Sequence, residues 1–523
     1  MRRRDLLRAA AAVAGAPLSG LEGILAGRQS PAMLPRGRAD WQLPSGVQVG
    51  DVTGSRAMIW SAADRQARMI LEWSSSERFT WRQRVEGPAA LEDRAFTARM
   101  DVGRLAPGEP VFYRVWFEDL ADGSRSVPVE GRFRTAPSDA GPLTICWSGD
   151  VAGQGWGIDV DRGGMRLYET MARHEPHVFV HSGDQIYADN PLQPEVALDD
   201  GTTWTNLVTP AKQKVAETLD EFRGNYAYNL LDRHARAFNS QVPMIVQWDD
   251  HEVLNNWHPG TDMAGRPQYR EQSLARLAAR ARRAMFDYLP IRAHPDEAER
   301  VYRNYRYGPL AEIFVIDQRS YRAANSANRQ PEPGEATRML GPQQLEWLMA
   351  RLLASTSTWK VIASDMPLGL LIGDGRQDGQ PRFEGWANGP GEPLGREHEL
   401  AQLLSFLKAN RVHNVVWITA DVHYAAAHRY DPAAAVFKDF LPFWELVAGP
   451  LHAGTFGPNA ADPTFGCTQV FSSVPPGMKP NRPPSDGLQF FGTLTVDPST
   501  RRLTAALWNL AGQKLWSVEL DAG

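Results

Sequence analysis

The chain has 523 residues, enough for more than one domain, and its 43% hydrophobic and 22% charged content is that of an ordinary soluble globular protein. A formal charge of −5 offers no basic surface for nucleic acid. The two cysteines, Cys146 and Cys467, exclude a disulfide-rich scaffold and any CxxC zinc site, and leave one pairing at most.

The amino terminus reads as a targeting segment. Residues 2–8, RRRDLLR, resemble a twin-arginine signal, and residues 9–17 follow as a short, weakly apolar stretch. That stretch is too short to span a bilayer, and no other apolar run is long enough for a transmembrane anchor. The expectation is therefore export in the folded state by the twin-arginine machinery, to the periplasm or beyond the cell, with residues 1–40 as signal and leader. From 41 to 137 short segments such as VQVGDV, AMIWSA, MILEWSS and VFYRVWFED are separated by Gly, Pro, Asp and Ser turns. Six or seven such strands predict an all-β sandwich of the immunoglobulin or fibronectin kind. No cluster of His, Asp or Glu gives this part a chemistry. The turn-rich PSDAGP (137–142) reads as a linker.

Residues 143–523 change character. Helix candidates at 161–173, 272–288, 341–354 and 396–410 alternate with apolar runs at 311–316 and 359–363. The pattern returns to β at 443–449 and in the closing FGTLTVD and LTAALWNL segments, so the expected architecture is a mixed α/β sandwich. Residues 364–395, rich in glycine, read as a long loop. The expectation is that it covers a cleft, with Trp386 an aromatic at the rim.

Four apolar runs in this part end in Asp or His: TICWSGD (144–150), HVFVHSGDQIYAD (177–189), MIVQWDDHE (244–252) and VVWITADVH (415–423). The carboxyl ends of buried strands are where open α/β sheets place their chemistry. A buried charge costs several kcal/mol unless it is paired or metal-bound, so four such strands meeting at one rim call for a cation. Hard oxygen donors suit Ca²⁺, Mg²⁺, Mn²⁺ or Fe³⁺ better than a structural Zn²⁺. Asp421 and His423 are two apart, which on a strand would give them one face.

With all four motifs in view the chain resembles the calcineurin-like metallophosphoesterases, and within them the PhoD-type alkaline phosphatases and phosphodiesterases. The resemblance is carried by SGD (148–150), SGDQIYAD (182–189), WDDHEVLNNW (248–257), DQRSYR (317–322) and TADVH (419–423). It implies that Asp184 bridges two metals, that Asp150, Tyr187 and His423 complete the first site, and that Asp250 and Asp421 hold the second. It makes His251 the general acid or charge-stabiliser beside the phosphate. Asn255, Asn256 and Arg319 become substrate contacts, with Asp249 and Glu252 weaker candidates. The implied cofactors are two or more metal ions, Ca²⁺ and Fe³⁺ by resemblance. The pattern departs at Asp150, where the related enzymes place a cysteine. A carboxylate there makes the first site harder and opens it to Mn²⁺, Mg²⁺ or Ca²⁺.

The implied activity is hydrolysis of phosphate monoesters and diesters by an exported, monomeric enzyme, two cations activating a shared water. Two alternatives stand beside it: a diesterase on lipid or cell-wall polymer head groups, and a non-catalytic envelope-binding protein with a vestigial site.

Overall fold

The computed structural model describes residues 41–523; the arginine-rich start, and with it the export signal, lies outside the described residues. The amino-terminal unit contains β1 (Val47–Gly50), β2 (Ala57–Ala62), β3 (Ala67–Ser74), β4 (Gln83–Ala90), β5 (Thr97–Val102), β6 (Pro110–Asp119) and β7 (Val129–Arg134). The set β1, β2, β5 faces the set β4, β3, β6, β7. Val47, Ile59, Met69, Leu71, Tyr113 and Phe117 fill the space between them. Alternation along β6, with Val111, Tyr113 and Val115 buried and Phe112 and Arg114 partly open, is the period of two that a half-buried strand requires. The expected all-β sandwich is present.

Past the linker come β8 (Leu143–Ser148), β9 (Val178–Ser182), the hairpin β10 (Glu195–Ala197) and β11 (Thr203–Thr205), and β12 (Met244–Gln247). Then follow β13 (Arg303–Tyr307), β14 (Ala311–Val315), β15 (Trp359–Ala363), a second hairpin β16 (Gly373–Gln377) and β17 (Gln380–Phe383), and β18 (Val415–Thr419). The chain closes with β19 (Ala426–Tyr430), β20 (Phe443–Val447), β21 (Cys467–Ser472), β22 (Phe490–Val496), β23 (Leu503–Asn509) and β24 (Lys514–Leu520).

Two large sheets result. One runs β24-β23-β22-β8-β9-β12 and continues through β1 into β2 and β5; the other runs β13-β14-β15-β18-β20-β19-β21. Ile145, Val180, Ile313, Val361, Ile418 and Leu446 from both sheets share one apolar core, so the sheets pack face to face. The outer face of the first is covered by helices including Leu219–Asn229 and Leu274–Tyr288, through Phe222, Leu277 and Met285. Pro342–Ala354 and Glu397–Ala409 cover the second through Leu345, Leu348, Leu400 and Leu404. This is the mixed α/β sandwich the alternation predicted, in four layers. The pairs β8/β9 and β9/β12 are parallel, as are β14/β15, β15/β18 and β18/β20. Their carboxyl ends therefore gather at a common rim, and Trp147 of β8 donates its indole N–H to the Thr419 carbonyl of β18 across the sandwich (3.2 Å).

Three sequence expectations need correction. The helix foreseen at 161–173 forms only over Leu167–Ala172, because Gly163 and Gly164 take φ of 95° and 70° and break it. Residues 364–395 are not a plain loop: they contain the β16–β17 hairpin. Trp386 is no rim aromatic; it is 1% exposed and packs in the core beneath the second sheet. Cys146 and Cys467 are both buried and free.

Candidate metal centre

Strands β8, β9, β12 and β18 each run straight into a tight turn at the rim. In those turns Asp150 (φ 67°), Asp184 (φ 50°), Asp421 (φ 66°) and His423 (φ 60°) occupy the left-handed region, uncommon for residues other than glycine. Each such residue costs on the order of 1–3 kcal/mol and persists only where its surroundings enforce it. Strand β18 ends at Thr419, so turn geometry and not strand alternation aims Asp421 and His423.

One group of side chains is Asp150, Asp184 and His423, whose candidate ligand atoms all lie within 4.8 Å of one another. Asp150 is fully buried and neither of its carboxylate oxygens has a hydrogen-bond partner. Burial pushes its pKa well above the usual carboxylate value. His423 donates from Nδ1 to the Gly454 carbonyl, which leaves the Nε2 lone pair facing the Tyr187 hydroxyl (2.7 Å) and Asp150 Oδ1 (3.7 Å). Burial lowers this imidazole to about 4, so it is the neutral form that is presented. Tyr187 is held by close approach of backbone: a Cβ on Gly153 would fall 2.4 Å from its ring atoms. Burial, and then the Asp184 and Asp150 charges, raise its hydroxyl well above its ordinary value.

A second group is Asp184, Asp250 and His251, again within 4.8 Å. Asp184 belongs to both groups, the position a bridging carboxylate would need. It accepts the backbone N–H of His251 (3.2 Å), and Asp250 accepts that of Asn256 (2.5 Å). Burial raises Asp250, but the His251 and Arg319 cations outweigh it and leave the carboxyl at about 2. His251 sets Nδ1 against Asp189 Oδ1 (2.7 Å) and stacks on the Tyr187 ring (centroids 4.2 Å apart). Burial lowers the imidazole, and the carboxylates of Asp189, Asp250 and Asp184 more than reverse that, so it sits well above its usual value.

The remaining sequence candidates are placed around these two groups. Asp421 joins neither; its Oδ1 lies 4.0 Å from Arg319 Nη2. Arg319 has no exposed side-chain surface and is bonded to Asp249 and Glu384, which makes it a buried brace behind the site. Glu252 accepts the backbone N–H groups of Gln185 (2.6 Å) and Asp249 (2.8 Å), bracketing the turns after β9 and β12. Burial lifts its pKa to about 7 against those two donors. Asn255 is exposed and gives its backbone N–H to Asp189 Oδ2 (2.8 Å); Asn256 gives its amide to Asp374 of the β16–β17 hairpin (2.9 Å).

The donor set fits a pair of hard cations. An unpartnered, buried Asp150 carboxylate, a neutral His423 with a free lone pair, and Asp184 shared between two ligand groups are costly without positive charge at their centre. Asp189 closes the motif at 177–189 and carries no role in the sequence reading; nothing in its local pattern marks it. In the structure it orients His251.

The chain is similar in sequence and fold to known proteins. Residues 145–507 match the family described as PhoD-like phosphatase, and residues 28–137 match the PhoD-like phosphatase amino-terminal domain. Alkaline phosphatase D of Bacillus subtilis (strain 168) is 26% identical over 456 residues, covering 82% of this chain and 72% of that protein. A solved structure of PhoD superposes with a TM-score of 0.67 at 20% identity, covering 92% of this chain and 94% of the other. A purple acid phosphatase from yellow lupin seeds does so at 0.55 and 13% identity, covering 91% and 74%.

Proposed function

Because the chain belongs to the PhoD-like phosphatase family, and is a hydrolase of that kind, we propose that it cleaves both phosphate monoesters and diesters at the rim formed by Asp150, Asp184, Asp250 and His423. The single observation that carries this reading is the sharing of Asp184 between two buried ligand groups. In it, Asp150, Tyr187 and His423 would hold a first cation and Asp250 a second, with Asp184 common to both; Asp421, which lies outside both groups, is assigned to the second by the family resemblance alone. Two cations so held would supply a water nucleophilic at neutral pH and neutralise charge on the phosphoryl group.

The rest is done by the chain's own side chains. His251, its Nδ1 fixed by Asp189, presents Nε2 to the site and donates a proton to the leaving oxygen. Tyr187 confines that ring by stacking. Asn255 and Asn256 line the edge where an ester would enter, and Arg319 acts through Asp249 instead of touching substrate. The hard donor at Asp150 opens the first site to Ca²⁺, Mn²⁺ or Mg²⁺ beside the ferric ion that Tyr187 would suit. Residues 2–8 support export by the twin-arginine route.

The test is elemental analysis of the purified protein together with hydrolysis of a chromogenic monoester and a chromogenic diester, before and after chelation. Two metals per chain and chelator-sensitive turnover of both esters are expected. A metal-free protein that hydrolyses either ester at the same rate would sink the reading.

A further inference from the structure

Beneath the two ligand groups lies a buried amine. Lys212 closes the short 3₁₀ turn Pro210–Lys212 and is 2% exposed. Its own backbone is engaged elsewhere, the N–H with Thr209 and the carbonyl with Leu192. Among the described residues its Nζ has no carboxylate within salt-bridge distance. It donates instead to two backbone carbonyls, those of Tyr187 (3.0 Å) and Ala152 (3.4 Å), with the Tyr228 ring 5.7 Å away. An ammonium buried without a counter-charge is costly, and a methionine would fill the same space without that cost.

What the amine supplies is a link. Ala152 lies two residues beyond Asp150 in the turn after β8, and it too is left-handed (φ 60°). Tyr187 lies three residues beyond Asp184 in the turn after β9. Backbone bonds Asp150 N–H to Gly183 (3.4 Å) and Val151 N–H to Asp184 (2.9 Å) join the two turns at their start. Lys212 joins them again further out, and the Asn190 side chain, which accepts the Gln154 N–H (3.1 Å), does so beyond it. The Tyr187 ring also rests on Gly153, the residue after Ala152. A change in the Ala152–Tyr187 separation therefore moves Tyr187 relative to Asp150.

We propose that Lys212 is a positioning residue for the first-metal group: its side-chain amine clamps the Asp150 turn to the Tyr187 turn and sets the spacing of the ligands they carry. The proposal rests on the metal-binding reading above, and the first site takes the larger effect because Asp150 and Tyr187 lie in the clamped turns, whereas Asp250 and His251 come from a turn that Lys212 does not touch and the second site meets the clamp only through the shared Asp184 and the Tyr187–His251 stack.

The experiment uses Mn²⁺ alone as probe, with calorimetric titration and the spin-resonance signal of free Mn²⁺ as readouts, on the full protein stripped of metal. The parent should bind two Mn²⁺. Lys212→Met should weaken one about 10–100-fold, the range measured for partners that orient metal ligands, and the other at least several-fold less. The melting temperature of its metal-free form should be unchanged or higher. Lys212→Gln, which keeps one donor for one carbonyl, should recover part of the lost affinity, and it decides the matter if the methionine variant does not fold. Two sites of parental affinity in Lys212→Met would overturn the proposal, and so would equal weakening of both, which marks a general structural role. A parent that binds fewer than two Mn²⁺ overturns the metal reading itself, and this inference with it.

Discussion

Asp189→Asn isolates the charge on which His251 depends. The Asp189 carboxylate meets His251 Nδ1 at 2.7 Å with both side chains nearly excluded from water, at 9% and 6% exposure. Asparagine can still accept from Nδ1–H, so the ring keeps its orientation and loses only the negative charge. A buried hydrogen bond to a charged group contributes about 1.5–3 kcal/mol. At about 1.4 kcal/mol per pKa unit, that is a fall of roughly 1–2 units in the His251 pKa. His251 is needed protonated if it is the acid, so activity is present below its pKa and lost as pH rises through it. Burial alone would lower that pKa; Asp189, Asp250 and Asp184 raise it. Removing Asp189 should therefore move the alkaline limb of the kcat profile downward by about 1–2 pH units. At a fixed alkaline pH turnover should fall on the order of 10–10², while metal content stays at the parental value. The assay is kcat against pH on a chromogenic diester with poor and good leaving groups; the loss should be greater for the poor one, which needs the proton. An unshifted alkaline limb, or equal losses with both leaving groups, would refute the reasoning and leave His251 as a metal ligand.

Asp184→Asn removes the carboxylate shared by both ligand groups and should lower the content of both metals in elemental analysis; retention of both with parental activity refutes the bridging role. Trp386→Ala should destabilise the fold by about 3–5 kcal/mol in denaturant unfolding, as a buried indole does. Shortening the exposed β16–β17 hairpin, by contrast, should alter the ratio of monoester to diester turnover with little change in melting temperature. A hairpin variant that melts far lower at an unchanged ratio shows the hairpin to be structural. Arg319→Met should cost about 3–5 kcal/mol, because it leaves Asp249 and Glu384 buried without their cation; a neutral effect in calorimetry would contradict the brace.

The parts of the site that could be read from the sequence are those where periodicity breaks. An apolar run that ends abruptly in Gly-Asp, as at Gly149-Asp150 and Gly183-Asp184, marks both a buried parallel strand and the turn that follows it. What was not legible depends on partners far along the chain. Trp386 lies among glycines, which reads as a surface loop, yet it is covered by residues of the second sheet. Arg319 next to a strand end has the look of a phosphate contact, but Asp249, 70 residues away, and Glu384, 65 away, claim its guanidinium. The helix at 161–173 failed because two adjacent glycines outweighed its amphipathic pattern. Lys212 carried no signal at all, since a lysine beside another, Lys214, in a stretch without a motif reads as solvated.

The pairing of β1 with β12, through Gly50 and Met244 and the bond from Asp51 N–H to the Met244 carbonyl (3.1 Å), has a consequence for biosynthesis. The amino-terminal sandwich leaves the ribosome first, yet the strand that covers its β1 edge is made nearly two hundred residues later. Until then that edge offers open backbone groups to any neighbouring strand. Other ties arrive equally late: Trp60 to the Asp287 carbonyl (2.7 Å), Tyr113 to Ser240 (2.9 Å), and Arg292 to Asp51 (2.9 Å). A cut at residue 137 would thus not release a finished module but expose a seam on both halves. The nascent chain should be at its most aggregation-prone while the ribosome is between these two points, and a chaperone that shields sheet edges would matter most in that interval.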